Sequence, residues 1–388
     1  MRYLLLVLLL CVAAFCFFAC SGGDESDDDD LTIDDDADDD IDDDTVDDDS
    51  VDDDADDDAD DDADDDTVEG DPAAYDDFGW TEFTGSPSPP ISIMAAMAYD
   101  ETRQEVVMFS GGTGLSKQTW VWDGAAWAER SPTHSPGTRL AARMAYGEAL
   151  GGALLFGGVS VNPLKPYPRD TWRWDGEDWA ELAPAHAPTG RGQYGLAYDA
   201  QREVLVLHGG CEGEPCDSPL SDTWEFDDDD WRRIETAHDP GGRIAPVMFY
   251  DERLDKVVLF GGDSNDGLTG DTWAYDGEDW ELIEPAREEG PAARWAAAGA
   301  YDSAHQMGLM FGGEVDYLTY SDEIWAWTGA HWVLLARDDV PPGRSQLCGA
   351  YDAAAGHFVI FGGAAPTELW PVLYKDTWLF ANLGSSPQ

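Results

Sequence analysis

Five arginines recur about 50 residues apart in this sequence, and each is followed about 30 positions later by an acidic residue. The arginines are Arg139, Arg191, Arg243, Arg294 and Arg344, and the acids are Asp170, Asp222, Asp271, Glu323 and Asp376. A guanidinium group binds carboxylates through two parallel hydrogen bonds. The arginines could therefore form a ring that binds a carboxylate ligand, such as a uronic or sialic acid, or each could pair with the acid of its own repeat. The first repeat has Ser92 and Gln118 at these two positions, and the joint loss of both charges favours the ion pair.

Three histidines also recur, and they raise the question of a metal site. His134, His186 and His238 lie in "SPTHSPGTR", "APAHAPTGR" and "ETAHDPGGR". Ligand nitrogens must lie about 2 Å from a shared zinc ion, which neighbouring repeats would not allow. We therefore interpret the histidines as loop residues and predict no metal site. The sequence also contains no Ser–His–acid set, P-loop or HExxH motif.

The arginines belong to six repeats of about 50 residues. Gly-Gly pairs begin at positions 111, 157, 209, 261, 312 and 362, and a tyrosine precedes each pair by 11 or 12 residues. "DTWRWDGEDW" near residue 170 returns as "DTWAYDGEDW" near residue 271. Because independent markers share one period, the chain is predicted to consist of six equivalent structural units.

Each repeat contains four short runs rich in β-branched and aromatic residues, here called strands a to d. "GQYGLAYD", "REVLVLHGG", "DTWEF" and "DWRRIE" are the four runs of the third repeat. One small sheet cannot bury both faces alone, whereas six sheets arranged radially can. The sequence predicts an all-β, six-bladed β-propeller with four antiparallel strands per blade.

Twelve tryptophans mark the blades and the closure of the ring. Those on strand c are Trp120, Trp172, Trp224, Trp273, Trp325 and Trp378, and those on strand d are Trp80, Trp127, Trp179, Trp231, Trp280 and Trp332. Their periodicity indicates that they fill the interfaces between blades rather than bind sugars. The last repeat has no strand d of its own, so "GWTEF" at residues 79–83 is predicted to complete blade six.

The pattern of Arg, Tyr-Asp, Gly-Gly and paired Trp resembles kelch repeats, over residues from about 78 to 383. Strand c carries Trp where many kelch repeats have Tyr. The resemblance implies a kelch-type propeller at 78–388, and it says little about activity.

The first 20 residues read as an export signal, because one arginine precedes a short apolar run. "FFAC" at its end resembles a bacterial lipobox, which implies a lipid-bearing Cys20 after cleavage. Phe17 stands where leucine is usual, and ordinary cleavage or an uncleaved anchor is the alternative. Ser21 resembles the outer-membrane sorting residue, so an outer-membrane lipoprotein facing the periplasm or the exterior is expected.

Residues 21–77 contain 34 acidic residues and neither Lys nor Arg. Such a segment repels itself and is predicted to form a disordered spacer. Weak Ca²⁺ association is conceivable, although the glycine and glutamate of an EF-hand loop are missing, and no other cofactor is predicted. The remaining chain is also acidic, which argues against nucleic acid as a partner.

Three further cysteines lie in the repeats. Cys211 and Cys216 share one loop, and an exported protein could pair them as a disulfide. Cys348 lies on a strand a and is predicted to be a buried free thiol.

Ligand binding is predicted on the face that carries the b–c and d–a loops, because the b–c loops differ most in length. Its candidate residues are Trp370, Trp295, Tyr167, Tyr317 and Tyr320, which occupy no repeat position, together with the five ring arginines. Trp370 could equally cap its own loop.

Two functions follow as alternatives. The first is a lipid-anchored envelope module that binds a protein or a glycan and has no catalytic residues. The second is a carbohydrate enzyme resembling the six-bladed kelch sialic-acid mutarotases. An unpaired arginine and a carboxylate facing a pocket would favour the enzyme, and an aromatic face with every arginine paired would favour binding. His208 replaces the phenylalanine found before the other Gly-Gly pairs, and no role follows for it from the sequence.

Overall fold

The four runs of each repeat fold into one antiparallel sheet, because tight turns join strands that are rich in β-branched and aromatic residues. The structure is a computed structural model that describes residues 69–109, 117–213, 216, 218–227, 229–283, 290–316, 318–365 and 371–384. Six four-stranded sheets are arranged as the blades of a propeller. The predicted all-β, six-bladed fold is confirmed.

The strands follow the predicted order in every blade. The first strand is β1 (Phe78–Phe83). Blade one contains β2 (Ala96–Asp100), β3 (Glu105–Phe109), β4 (Thr119–Trp122) and β5 (Trp127–Arg130). The short strand β6 (Arg139–Leu140) precedes blade two, which contains β7 (Arg143–Gly147), β8 (Gly152–Phe156), β10 (Thr171–Trp174) and β11 (Trp179–Leu182), with β9 (Val159–Ser160) in its b–c loop. Blade three contains β12 (Gly195–Asp199), β13 (Val204–His208), β14 (Thr223–Asp227) and β15 (Asp230–Ile234).

The second half of the propeller repeats this arrangement with longer hairpins. Blade four contains β16 (Val247–Asp251), β17 (Lys256–Ser264), β18 (Gly267–Tyr275) and β19 (Trp280–Ile283). Blade five contains β20 (Ala298–Asp302), β21 (Met307–Phe311), β24 (Ile324–Trp327) and β25 (Trp332–Leu334), with the hairpin β22 (Glu314–Asp316) and β23 (Thr319–Tyr320) between them. Blade six contains β26 (Cys348–Asp352), β27 (His357–Phe361) and β30 (Thr377–Asn382), with β28 (Ala364–Ala365) and β29 (Val372–Leu373) in its b–c loop.

The N-terminal strand β1 closes blade six. It pairs antiparallel with β30, and Trp80 lies opposite Phe380. Residues 69–77, at the end of the predicted spacer, also contact the propeller through a 3₁₀ turn at Pro72–Tyr75. Tyr75 is fully buried and donates a hydrogen bond to Asp302 Oδ2 at 2.9 Å. The closing sheet therefore joins the two ends of the described chain, and β1 is the outer strand of this blade.

The strand-d tryptophans form the core between neighbouring blades. Trp179 packs edge-on against Phe109 of blade one and donates through Nε1 to Thr119 Oγ1 at 2.9 Å. The same bond recurs in the pairs Trp127–Thr377, Trp231–Thr171, Trp280–Thr223 and Trp332–Thr272. Blade five has Ile324 at the position of these threonines, and Trp80 Nε1 has no partner among the described residues. The periodic tryptophans thus fill the core, as their spacing predicts.

Within the described residues, no helix is long and apolar enough to cross a membrane. The predicted export signal, Cys20 and the acidic segment up to residue 68 lie outside those residues.

Candidate functional site in the axial channel

The five ring arginines are buried and paired within their own blades. Arg139 donates to both carboxylate oxygens of Asp170, at 2.6 and 2.8 Å, and to the carbonyl of Gly157 at 2.8 Å. The other pairs are Arg191–Asp222, Arg243–Asp271, Arg294–Glu323 and Arg344–Asp376. Burial alone would raise the pKa of Asp170, but the hydrogen bonds and charge of Arg139 hold it below its usual value. Since the five arginines are at most 5% exposed, the predicted ion pairs, and not a ligand, engage their guanidinium groups.

Blade one has uncharged residues at the two positions of the ion pair. Ser92 is buried, and Gln118 donates through Nε2 to Glu129 Oε1 at 2.6 Å. Neither side chain leaves an uncompensated charge, so the blade keeps its fold without the ion pair.

The loop aromatics among the described residues are buried or half-buried. Trp295 is only 9% exposed and donates through Nε1 to Glu314 Oε2 at 3.2 Å. It packs with Ile244 and Cys211 of the neighbouring b–c and d–a loops. Tyr320 also hydrogen-bonds Glu314, whose pKa is raised by burial.

The remaining aromatic candidates are separate from this cluster or cannot be placed. Tyr167 is half-buried in the b–c loop of blade two. Trp370 and Tyr317 lie outside the described residues. The described candidates thus provide no shared aromatic platform.

The loop histidines and cysteines have structural partners. His134, His186 and His238 each contact one aspartate of the next blade, namely Asp178, Asp230 and Asp279. Among the described residues, no group of three or more His, Cys, Asp or Glu side chains is placed to hold a metal ion. A disulfide joins Cys211 to Cys216, and Cys348 is a buried free thiol.

The inner strands of the six blades surround an axial channel with a chamber in its middle. The chamber has a volume of about 80 Å³, and its walls include Met97, Met144, Leu196, Met248 and Cys348. These side chains are apolar or weakly polar, so a charged group among them has little solvent to stabilise it.

Arg143, the first residue of β7, is the charged side chain of this chamber. It is half-buried and lines both the chamber and a smaller cavity of about 10 Å³ next to it. Its backbone N–H donates to Tyr194 Oη at 3.0 Å, but its guanidinium has no hydrogen-bond or ion-pair partner within the described part of the chain. Burial lowers the pKa of Arg143 from its usual value. An enclosed, unpaired guanidinium is an anion-binding group.

A ring of backbone hydrogen bonds narrows the channel on the b–c face. One residue per blade adopts a left-handed conformation with φ between 47° and 59°, and each donates its N–H to the carbonyl of the equivalent residue in the preceding blade at 2.5–2.9 Å. The six residues are Met94, Ala141, Gln193, Ala245, Ala296 and Gln346. Five of them are at most 5% exposed, so solvent barely reaches the channel from this side.

The opposite end of the channel opens widely on the face of the a–b turns. The opening has a volume of about 220 Å³ and is lined by the six repeat tyrosines and by Glu101 and Glu252. Burial raises the pKa of Glu101, as do the charges of Glu148 and Asp100. Burial also raises the pKa of Glu252, with a further contribution from Glu101. This wide cavity therefore opens on the face opposite to the one that the loop lengths favour.

Sequence reasoning missed Arg143 because its position has no repeated residue type. The equivalent residues of the other blades are Ala96, Gly195, Val247, Ala298 and Cys348. One charged side chain among six otherwise uncharged equivalents was the available signal.

The comparisons with known proteins support the fold. No family model and no curated protein matches the chain. A solved structure described as "Structure of YjhT" is similar over 74% of this chain and 99% of that chain, with a TM-score of 0.55 and 16% sequence identity. At this identity the similarity concerns the arrangement of the propeller, so the function must be argued from the channel itself.

Proposed function

We propose that this chain is a kelch-type, lipid-anchored binding module of the bacterial cell envelope, and that its axial channel binds the carboxylate of a small ligand or of an acidic glycan or protein terminus. Arg143 is the observation that carries the proposal. All five ring arginines have acidic partners, whereas Arg143 faces a chamber without one. Hydrogen bonds to charged groups contribute about 1.5–3 kcal/mol each, and a carboxylate can accept two from one guanidinium.

The kelch assignment is supported by the six repeats with their Gly-Gly and Tyr-Asp markers and by the six-bladed fold. The proposed location follows from the apolar leader and from the "FFAC" sequence that ends at Cys20. Acyl labelling of the expressed protein tests this location, and Cys20→Ser should abolish labelling and release the chain from membranes. A mature chain without lipid, identified by intact-mass spectrometry, would exclude the anchor.

Titration calorimetry tests the binding role with the full chain, sodium propionate and a panel of uronic acids, at constant ionic strength. Arg143→Met should weaken carboxylate binding at least tenfold, because about 1.4 kcal/mol corresponds to a factor of ten. Arg233→Gln is the matched control, since it removes one positive charge from a side chain that is 57% exposed on the outer strand β15. Equal affinities of the Arg143 variant and the wild type would exclude the channel as the carboxylate site.

The second candidate is a carbohydrate enzyme resembling sialic-acid mutarotases. Glu101 and Glu252 favour it, because both carboxylates line the channel mouth and both have a raised pKa. A raised pKa makes a carboxyl group a better candidate for a general acid or base. Exchange of sugar-acid anomers, followed by NMR, should then slow in Glu101→Gln and Glu252→Gln but not in the exposed control Glu235→Gln. If the wild type exchanges the anomers only at the uncatalysed rate, the enzyme role is excluded and the binding role is the one that stands.

A further inference from the structure

Two glutamines at the narrow end of the channel have unused hydrogen-bonding capacity. Gln193 is 2% exposed and Gln346 is 5% exposed. The Oε1 atom of each has no hydrogen-bond partner in the described part of the structure. Both side chains line the same small cavity as the Arg143 side chain. A buried amide oxygen without a partner is destabilising, so a ligand group that donates to such an oxygen binds more tightly.

We propose that the narrow end of the channel recognises a small hydroxycarboxylate, whose carboxylate binds Arg143 and whose neighbouring hydroxyl donates to the amide oxygen of one glutamine, Gln193 or Gln346, and accepts from the amide nitrogen of the other. This inference rests on the proposed function and names the ligand class of the same site. The hydroxyl would lie next to the ring of backbone hydrogen bonds, and the carboxylate would lie on the chamber side.

The chemistry of the three side chains selects a hydroxyl over other groups. A keto oxygen can only accept, so it would leave any amide oxygen that faces it without a donor. An ammonium group would donate, but it would lie beside the guanidinium of Arg143 and be repelled. A hydroxyl is neutral and both donates and accepts, so it satisfies a glutamine amide in either orientation of its oxygen and nitrogen.

The walls of the channel restrict the ligand to a small size. Met97, Met144, Leu196 and Met248 line both the chamber and the wide mouth, so they form the passage between the two cavities. Beyond this passage the cavity volume decreases from about 80 to about 10 Å³, which is room for one water-sized group. A hydroxyl can therefore reach the glutamines, whereas the carbon skeleton of the ligand stays in the chamber and the rest of a larger molecule stays in the mouth.

Lactate and propionate test this proposal, because they differ by the hydroxyl alone. Calorimetric titration of the full chain with sodium L-lactate, sodium propionate and sodium chloride is carried out at one ionic strength. The wild type should bind lactate at least tenfold more tightly than propionate. The double variant Gln193→Leu/Gln346→Leu should bind both equally and keep the affinity for propionate, since Arg143 is intact. Gln201→Leu, on an exposed turn, is the control and should keep the preference.

The outcomes separate this inference from the proposed function. Equal binding of lactate and propionate by the wild type, or a preference that persists in the double variant, would overturn the hydroxyl site while leaving the carboxylate site intact. If neither carboxylate binds more tightly than chloride, the proposed function fails and the hydroxyl site with it. Leucine has nearly the volume of glutamine, and a melting temperature within a few degrees of the wild type verifies the fold of the double variant.

Discussion

Arg191 and Arg143 are both enclosed arginines near the start of an inner strand, and they differ in what surrounds their guanidinium groups. Arg191 occupies a repeat position and has Asp222 and the Gly209 carbonyl as partners. Arg143 lies four residues after the equivalent ring arginine of blade two and faces the channel without an acid. The blades share one sequence pattern, and an arginine that recurs in it together with its acidic partner stabilises the blade. An arginine that departs from the pattern and has no acidic partner is the candidate for ligand binding.

The largest expected effect comes from removing a repeated arginine. Arg191→Met leaves the partly buried carboxylate of Asp222 without its partner and should lower the free energy of unfolding by about 3–5 kcal/mol. Arg143→Met removes an unpaired charge and should leave stability unchanged or raise it. Guanidinium chloride unfolding of both variants measures the difference. Similar losses in the two variants would remove the distinction between the two kinds of arginine.

The second test asks whether the ion pair acts as a unit. Blade one indicates a neutral replacement, so Arg191→Ser and Asp222→Gln are made singly and together. The double variant should be more stable than the sum of the single losses predicts, by about 2–3 kcal/mol, because no orphan charge remains. Additive losses in the same unfolding measurements would mean that the pair contributes little beyond its packing.

A third test concerns His208, which breaks a repeat position in the core. It is fully buried beside Trp280, and burial lowers its pKa from 6.5 to about 4. The unfolded chain therefore binds this proton more readily between these values, and stability should fall as the pH decreases through that window. At pH 5 the loss relative to pH 8 should be about 2 kcal/mol.

His208→Phe tests this contribution of His208 to the pH dependence of stability, because phenylalanine occupies the equivalent position in the other blades. Unfolding measured from pH 8 to pH 4.5 should show a shallower loss of stability in the variant. Parallel curves for the two proteins would show that His208 contributes nothing to the acid sensitivity. The paired ring arginines are the same in the wild type and in the variant, so they should contribute equally to the stability of both proteins at every pH measured.

The smallest expected effect comes from supplying a partner that one blade lacks. Arg103 and Arg202 bind Asp100 and Asp199, but the equivalent Asp352 is followed three residues later by Ala355. Asp352 is fully buried, its Oδ2 has no described partner, and burial raises its pKa.

Ala355→Arg should therefore raise the free energy of unfolding by about 1 kcal/mol. Ala355→Met is the control, since it adds a side chain of similar length without charge. Equal stability of the two variants would show that a guanidinium group beside Asp352 does not stabilise the fold.

The repeated residues allowed most of the fold to be predicted, and the unrepeated ones limited the prediction of the site. Trp80 revealed the closing strand because blade six otherwise lacked its strand-d tryptophan. The burial of Trp295 could not be predicted, because it depends on how loops of neighbouring blades stack. The ring of backbone hydrogen bonds could not be predicted either. Met94 and Gln193 have left-handed backbones although they are not glycines, and the hydrogen bonds of the assembled propeller compensate for this conformation.

The docked segment before β1 also determines how the propeller bears a mechanical load. Tension applied to the chain at residue 69 first loads the start of this segment, where the N–H of Gly70 donates to the carbonyl of Thr328 at 2.9 Å. It then reaches the buried Tyr75, whose backbone carbonyl accepts a hydrogen bond from Arg337. Only after these contacts yield does the force reach β1, whose pairing with β30 joins the two ends of the ring. The segment thus protects the closing sheet from tension, and a pull on the chain before residue 69 would detach a few residues before it could open a blade.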